Sequence, residues 1–243
     1  MQTFFSKDDR PPVIETCGAD GTPLTVSQPS RAARAGIVLL HEIWGMTDEI
    51  ATLTARLASC GYITAAPHLY HRFGSPVVAD RVFNKARRYH NRLSADGLSA
   101  DLESALAWAR ARGAHKVALV GFSMGGTIAL WAAATLEIDA AVTFYGSGLA
   151  SPRWPGVLSG IDAAREIKVP WLGIYGERDV STLPDDLLLL REILALSATQ
   201  STVIVYPHVG HGFALDPRAR RHVSTETEEA FERVRFFLET HLS

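Results

Sequence analysis

Short apolar runs alternate with longer amphipathic segments along almost the whole chain. The apolar runs are nearly continuous, a pattern typical of strands that are buried on both faces of a parallel sheet. They predict strands at Gly36–Leu40, Tyr62–Ala66, Val117–Gly121, Ala140–Tyr145, Trp171–Tyr175 and Thr202–Tyr206. Two earlier segments, Val13–Cys17 and Leu24–Ser27, flank a glycine-containing turn and predict an antiparallel hairpin at the edge of the sheet.

The segments between the strands have the spacing of helices. Thr47 can cap a helix that carries Asp48 and Glu49 in its first turn, where the helix dipole favours anionic side chains. A second apolar stripe at helical spacing runs from Leu98 to Ala109, and a last helix begins near Ser224. Strands that alternate with helices require crossover connections, so we expect an α/β fold with a mostly parallel sheet and helices on both faces.

Composition is that of a globular protein. The chain has 243 residues, of which 47% are hydrophobic and 21% charged, and we expect residues 1–243 to form one domain. A net charge of −2 provides no electrostatic footprint for nucleic acid or for an anionic membrane. No apolar run is long enough to span a bilayer, and Met1–Arg10 lacks the layout of a secretory signal. Cys17 and Cys60 match no metal or redox spacing, so we expect reduced thiols and a cytoplasmic protein.

The clearest chemical motif is Gly121-Phe-Ser123-Met-Gly125. A buried strand leads directly into it, and a helix-forming stretch follows it. This order of strand, sharp turn and helix is that of a nucleophile elbow, in which a strained turn presents the serine hydroxyl. The two glycines leave room for the close approach of strand and helix. The context therefore predicts that Ser123 is a nucleophile.

A serine hydroxyl requires a neighbouring base to take its proton and a carboxylate to orient that base. In chains with this elbow, the acid and then the base follow the serine, each at the carboxyl end of a strand. The strand Trp171–Tyr175 is followed by Glu177 and Asp179. We select Asp179 as the acid because it lies deeper in the turn.

Two histidines follow the strand Thr202–Tyr206. We select His211 as the base because its flanking glycines allow the backbone to present the imidazole toward Ser123, whereas His208 is still close to the strand. The spacing of the two histidines also resembles a pair of metal ligands. No neighbouring set of carboxylates and histidines completes a zinc site, so we expect no metal.

The turn after the first core strand, His41-Glu42-Ile43-Trp44-Gly45, is the second candidate for a catalytic loop. In hydrolases with a nucleophile elbow, this loop supplies one amide of the oxyanion hole and the residue after the nucleophile supplies the other. We assign these donors to the backbone of Ile43 and Met124.

Taken together, these motifs and several others resemble the dienelactone hydrolase family over nearly the whole chain. The resemblance implies an α/β-hydrolase fold, cleavage of esters or lactones, and no cofactor. It rests on Glu42–Gly45, Ala66–Tyr70, Asp101–Glu103, Gly121–Gly126, Phe144–Gly146, Gly176–Asp179 and Gly210–Phe213.

The chain departs from the family's pattern at the nucleophile and at one substrate contact. Prototype members have a cysteine where this chain has Ser123, and the glutamate that matches Glu42 takes part in activating their thiol. Here Glu42 could tune His211, contact the substrate or pair with an arginine. The prototype also holds a substrate carboxylate with two arginines, and Leu215 occupies the position of one of them. The family's dienelactone is therefore not indicated as the substrate.

The second arginine of the family falls in Asp80–Leu93, where basic residues recur on one helical face. An exposed helix with a solvated basic face is the favoured interpretation. An anion-attracting rim of the pocket, with Arg81 as its best candidate, is the alternative. The long connection Ser147–Lys168 is either a partial cap that bears Trp154, with Tyr145 near its base, or an ordinary surface excursion. Leu215, Trp154 and Tyr145 favour a less anionic and more aromatic ligand than that of the prototype.

The sequence thus favours a serine hydrolase that cleaves a small ester or lactone through an acyl-enzyme. Acyl transfer to another acceptor by the same site is the first alternative. A non-catalytic ligand-binding protein on the same scaffold is the second, and it predicts a missing catalytic residue, whereas all three are present.

Overall fold

The computed structural model describes residues 10–33, 35–79, 82–215 and 222–243. Its strands are β1 Ile14–Cys17, β2 Pro23–Ser27, β3 Ala35–Leu40, β4 Ile63–Pro67, β5 Lys116–Phe122, β6 Ala140–Phe144, β7 Trp171–Gly176 and β8 Ser201–Tyr206. Its α-helices are α1 Asp48–Ser59, α2 Phe83–His90, α3 Ala95–Arg110, α4 Met124–Thr135, α5 Gly160–Arg165, α6 Pro184–Ala195 and α7 Ser224–Leu242, and a 3₁₀ turn covers His71–Phe73. None of these helices combines the length and the apolar character that a membrane crossing requires.

All the strands belong to one sheet in the order β1-β2-β4-β3-β5-β6-β7-β8. The pairs β1–β2 and β2–β4 are antiparallel, and every pair from β4 to β8 is parallel. This order confirms the predicted α/β class and the N-terminal antiparallel hairpin at the edge of the sheet.

Helices cover both faces of the sheet because successive strand residues point in opposite directions. In β3, Ile37 and Leu39 pack with α1 and α7, while Val38 and Leu40 pack in the cluster that includes α3 to α6. Burial on both faces is the reason that the strands are continuously apolar in the sequence.

The ends of several elements differ from the predicted ones. Strand β6 ends one residue early because Tyr145 has a φ of 41°, which is outside the extended region. Thr47 is the first residue before α1, but its side chain makes no capping hydrogen bond. By contrast, Ser94 and Ser159 cap α3 and α5 with their hydroxyl groups.

The carboxyl ends of the parallel strands meet at one edge of the sheet. The loops that follow β3, β5, β7 and β8 therefore lie next to one another, although they are distant in the sequence. In open sheets of this type ligands bind at this edge.

Candidate active site

Ser123 lies at the junction between β5 and α4, in a strained backbone conformation with φ 52° and ψ −110°. The turn closes only because two glycines flank it. A Cβ on Gly121 would lie 2.0 Å from the carbonyl oxygen of Gly125, and a Cβ on Gly125 would lie 2.4 Å from that of Leu40. The amide of Ser123 donates a 2.9 Å hydrogen bond to the carbonyl of Phe144, which ties the turn to the neighbouring strand. The local sequence thus fixes where the hydroxyl points.

A continuous chain of hydrogen bonds joins Ser123, His211 and Asp179. Ser123 Oγ lies 2.8 Å from His211 Nε2, and His211 Nδ1 lies 2.7 Å from Asp179 Oδ2. The side chain of Asp179 is fully buried, whereas that of His211 is 35% exposed. Burial acts to raise the pKa of the Asp179 carboxyl, but the hydrogen bonds and charge of His211 and the hydrogen bonds of Ser181 together lower it. The carboxylate therefore stays ionised beside the imidazole.

The neighbouring candidates Glu177 and His208 do not join this chain of hydrogen bonds. Both side chains are mostly exposed, and the Glu177 carboxylate accepts a 3.1 Å hydrogen bond from the backbone amide of His208. In the described ranges, no group of three or more histidine, cysteine or acidic side chains is arranged to hold a metal ion.

Ser181 is a further member of the site that sequence reasoning missed. Its hydroxyl donates a 2.6 Å hydrogen bond to Asp179 Oδ1, and its amide donates one of 2.8 Å to the same oxygen. The hydroxyl oxygen also lies 3.0 Å from His211 Nδ1. The spacing Asp-x-Ser after a strand is typical of an aspartate that accepts from the backbone two residues on, and this pattern could have indicated the contact.

The two residues assigned to the oxyanion hole, Ile43 and Met124, line the same cavity as Ser123. Met124 is the first residue of α4, so its amide has no acceptor within the helix. Ile43 lies in the loop after β3, which turns sharply at Gly45 with a φ of 86°. A Cβ at Gly45 would lie 2.4 Å from the carbonyl oxygen of Pro76, so the turn requires glycine.

A cavity of about 580 Å³ opens above Ser123. Its lining includes the hydrogen-bonded side chains, Ile43 and Met124, together with Glu42, which is 6% exposed. Two arginines, Arg87 and Arg153, also line it. The arrangement places a hydroxyl, a base and two candidate amide donors around one space that a small molecule could enter.

A model of the dienelactone hydrolase family matches residues 24–242 of the chain. The chain belongs to the dienelactone hydrolase family. A Salmonella typhimurium protein provisionally named carboxymethylenebutenolidase is 31% identical over 213 residues, which cover 84% of this chain and 77% of that protein. Membership confirms the expected class of enzyme, an ester or lactone hydrolase.

Solved structures agree with this assignment. A Klebsiella pneumoniae protein provisionally named dienelactone hydrolase superposes with a TM-score of 0.82 at 27% identity and covers 93% of this chain and 97% of its own. A dienelactone hydrolase-like promiscuous phosphotriesterase from metagenomic libraries shares the fold, with a TM-score of 0.78 at 19% identity over 97% of this chain and 100% of its own.

Three of the residues predicted to contact the substrate, Tyr145, Trp154 and Leu215, are not among the described residues that line the cavity at Ser123. Tyr145 is fully buried behind the base, with its ring 5.1 Å from that of His211. Trp154 is also buried, and its indole donates a 2.7 Å hydrogen bond to the carbonyl of His90. Leu215 faces a separate hollow between α1 and α7. Arg81 lies outside the described residues.

The first residues of the segment 147–168 form part of the cavity wall. Ser147, Pro152 and Arg153 line the cavity, and the chain then turns inward at Trp154 and continues into α5. These three residues therefore form part of the wall of the cavity that contains Ser123.

The arginines of the cavity were not predicted from the sequence. Helix α2 turns Phe83, Arg87 and His90 toward the cavity, while Lys85 and Arg88 are exposed elsewhere on the helix. Positions 83, 87 and 90 share one helical face by their spacing, and this signal was available. The sequence did not show which face of α2 packs toward Ser123.

Proposed function

We propose that the protein hydrolyses a small ester or lactone that carries an anionic group, through an acyl-enzyme formed on Ser123. The observation that supports the proposal most strongly is the hydrogen-bonded order Ser123–His211–Asp179 at the floor of the cavity. A buried carboxylate at Nδ1 favours the tautomer in which Nδ1 carries the proton and Nε2 can accept one from the serine.

In the first step Ser123 Oγ attacks the carbonyl carbon while His211 Nε2 takes the hydroxyl proton. The carbonyl oxygen becomes an oxyanion, which accepts hydrogen bonds from the amides of Ile43 and Met124. The carbon–oxygen bond to the leaving group then breaks, and His211 returns the proton to the departing alkoxide. The products of this step are an alcohol and an ester on Ser123.

In the second step water attacks the acyl-enzyme. His211 Nε2 takes one proton of the water, and the same amides hold the new oxyanion. The bond to Ser123 Oγ breaks, and the proton on His211 passes to that oxygen. Hydrolysis of a lactone gives one product, because the alcohol and the acid stay joined.

The anionic group of the substrate is inferred from Arg87 and Arg153. Neither guanidinium forms an ion pair with any residue that the structure describes, and both line the cavity that contains Ser123. Burial lowers the pKa of His90, which also lines the cavity, and the charges of Arg153 and Arg87 lower it further. Two cations that line one cavity and form no ion pair within the described part of the chain favour a ligand that carries a carboxylate. This conclusion replaces the weaker expectation of a less anionic ligand.

The test of the nucleophile compares two serines that line the same cavity. Ser123→Ala should reduce the hydrolysis of a short-chain p-nitrophenyl ester by about 10⁴-fold or more, while Ser147→Ala should retain most of the activity. A fluorophosphonate probe should add to Ser123 in the unmodified protein, and a mass spectrum of its peptides locates the adduct. Unchanged turnover in Ser123→Ala would overturn the proposal.

A further inference from the structure

His41 follows β3 and is completely buried beside the loop that carries Ile43. Its Nδ1 lies 2.7 Å from the carbonyl oxygen of Glu42, and the amide of Leu69 points at its Nε2 from 3.2 Å. An amide can only donate, so Nε2 accepts and Nδ1 carries the proton that is donated to Glu42. Burial lowers the pKa of the imidazole to about 4, so the ring is neutral near pH 7. These contacts define one tautomer.

The hydrogen bond at Glu42 acts on Ile43 through the peptide plane. The carbonyl of Glu42 and the amide of Ile43 belong to the same planar peptide unit and point in opposite directions. Fixing the oxygen therefore fixes the direction of the N–H. The oxygen also accepts a 3.2 Å hydrogen bond from the amide of Gly45. Hydrogen bonds to a carbonyl polarise the peptide, which makes its N–H a better donor.

Tyr70 constrains the next part of the loop. Its buried hydroxyl lies 3.1 Å from the carbonyl oxygen of Ile43 and 3.2 Å from Sδ of Met124, so it contacts both residues of the proposed oxyanion hole. Its ring packs edge-on against that of His41, with 5.2 Å between centroids. The amide of Val78 holds the following carbonyl, that of Trp44, at 2.9 Å. Three consecutive carbonyls of the loop are thus fixed.

We propose that His41 is a positioning residue that, together with Tyr70, aims the amide of Ile43 at the oxyanion of the reaction. The inference rests on the proposed function, because it needs an oxyanion that forms at the Ser123 site. His41 touches no substrate, since its side chain is enclosed by the protein. Its contribution is realised only when charge develops on the carbonyl oxygen. Loss of the imidazole should therefore lower kcat and leave KM nearly unchanged.

The experiment compares His41→Leu, which removes the donor, with His41→Asn, whose amide nitrogen can take the place of Nδ1. With a p-nitrophenyl ester, His41→Leu should lower kcat by about 10- to 100-fold, with KM within about twofold. It should weaken inhibition by a trifluoromethyl ketone, whose adduct with Ser123 carries an oxyanion, by a similar factor. His41→Asn should recover most of both losses. An unchanged kcat in His41→Leu, or equal losses in the two variants, would overturn the proposal.

Tyr70→Phe provides a second test that does not depend on the folding of His41→Leu. It removes the hydroxyl group that contacts Ile43 and Met124. Its control, Tyr62→Phe, removes the hydroxyl group of a buried tyrosine outside the site. We expect a several-fold lower kcat in Tyr70→Phe and an unchanged kcat in Tyr62→Phe, with equal thermal midpoints. Equal kcat values in these two variants would also contradict the inference.

Ser123→Ala separates the two proposals. If this variant stays active, the proposed function fails. If it is inactive while His41→Leu has full kcat, only the positioning role of His41 fails.

Discussion

The two sides of the cavity that contains Ser123 are built differently. On the side of the sheet edge, His211 is hydrogen-bonded to both Ser123 and Asp179. In the neighbouring loop, the carbonyls of Glu42 and Ile43 are held by the side chains of His41 and Tyr70. On the opposite side, Arg87 and Arg153 are exposed and form no ion pair with the described residues. Under the proposed function, the reacting groups are preorganised, whereas the two arginines receive their counterion from the ligand.

This contrast predicts that substitutions on the two sides of the cavity have different effects. The reacting groups stand at the ends of strands, where the sheet fixes their positions. The arginines stand on a helix face and in a connecting segment, where a substitution leaves the sheet undisturbed. Variants of the reacting side should therefore change kcat or stability, and variants of the arginine side should change KM for anionic substrates.

Among variants that keep Ser123, the largest expected effect is that of Asp179→Asn. An asparagine amide would donate to His211 Nδ1 and leave the proton on Nε2, so the imidazole could not accept from Ser123. We expect kcat to fall by about 10³- to 10⁴-fold with little change in fold, measured by ester hydrolysis and circular dichroism. Asp162→Asn, at an exposed ion pair with Arg165, is the matched control and should leave kcat unchanged. A loss of less than tenfold in Asp179→Asn would show that the carboxylate does not orient the base.

Gly125→Ala should test the rigidity of the reacting side. The new Cβ would lie 2.4 Å from the carbonyl oxygen of Leu40, so the strand and helix must separate. We expect the free energy of unfolding to fall by about 3 kcal/mol or more, measured by urea denaturation. Gly97→Ala is the control, because its nearest contact would be 3.4 Å away at a helical position, where alanine is favoured. Equal stabilities of these two variants would contradict the close packing of the elbow.

The buried neutral His41 should make stability depend on pH. Its pKa in the folded protein is about 4, below the ordinary 6.5, mainly because of burial. The unfolded chain therefore binds a proton that the folded protein does not, and this contribution to stability is complete above pH 6.5 and is lost as pH falls toward 4. Between pH 7 and pH 5 the loss should be about 2 kcal/mol, and His41→Asn should lack it. Parallel stability curves for the two proteins would show that His41 is not the group responsible.

The smallest expected effect concerns the arginines. Arg87→Ala and Arg153→Ala should each raise KM about tenfold for an ester that carries a carboxylate and leave KM for its neutral analogue unchanged. Arg88→Ala, in which an exposed arginine that does not line the cavity is removed from the same helix, is the control. Equal effects on charged and neutral esters would remove the argument for an anionic substrate.

The sequence predicted the sheet and the hairpin because strand burial leaves a continuous apolar pattern that can be read locally. The spacing Asp-x-Ser indicates the contact of Ser181 with Asp179, but the second contact of Ser181, with His211, depends on how the loops after β7 and β8 pack together. The sequence could not decide whether Arg87 or Arg88 faces the site. These residues are neighbours in the chain, and only the packing of α2 determines which of them lines the cavity.

The sequence by itself determined the features that backbone geometry fixes within a few residues. Gly121 and Gly125 have no room for a Cβ, so the turn at Ser123 requires glycine at both positions. This requirement makes the turn recognisable from one short motif. What only the tertiary structure decided are contacts between segments that the chain keeps far apart. Tyr70 contacts Met124, and His41 contacts Leu69, because β3, β4 and β5 are neighbours in the sheet. A hydrogen bond constrains both partners in space but leaves no periodic pattern in the sequence, so its existence becomes visible only when the chain is folded.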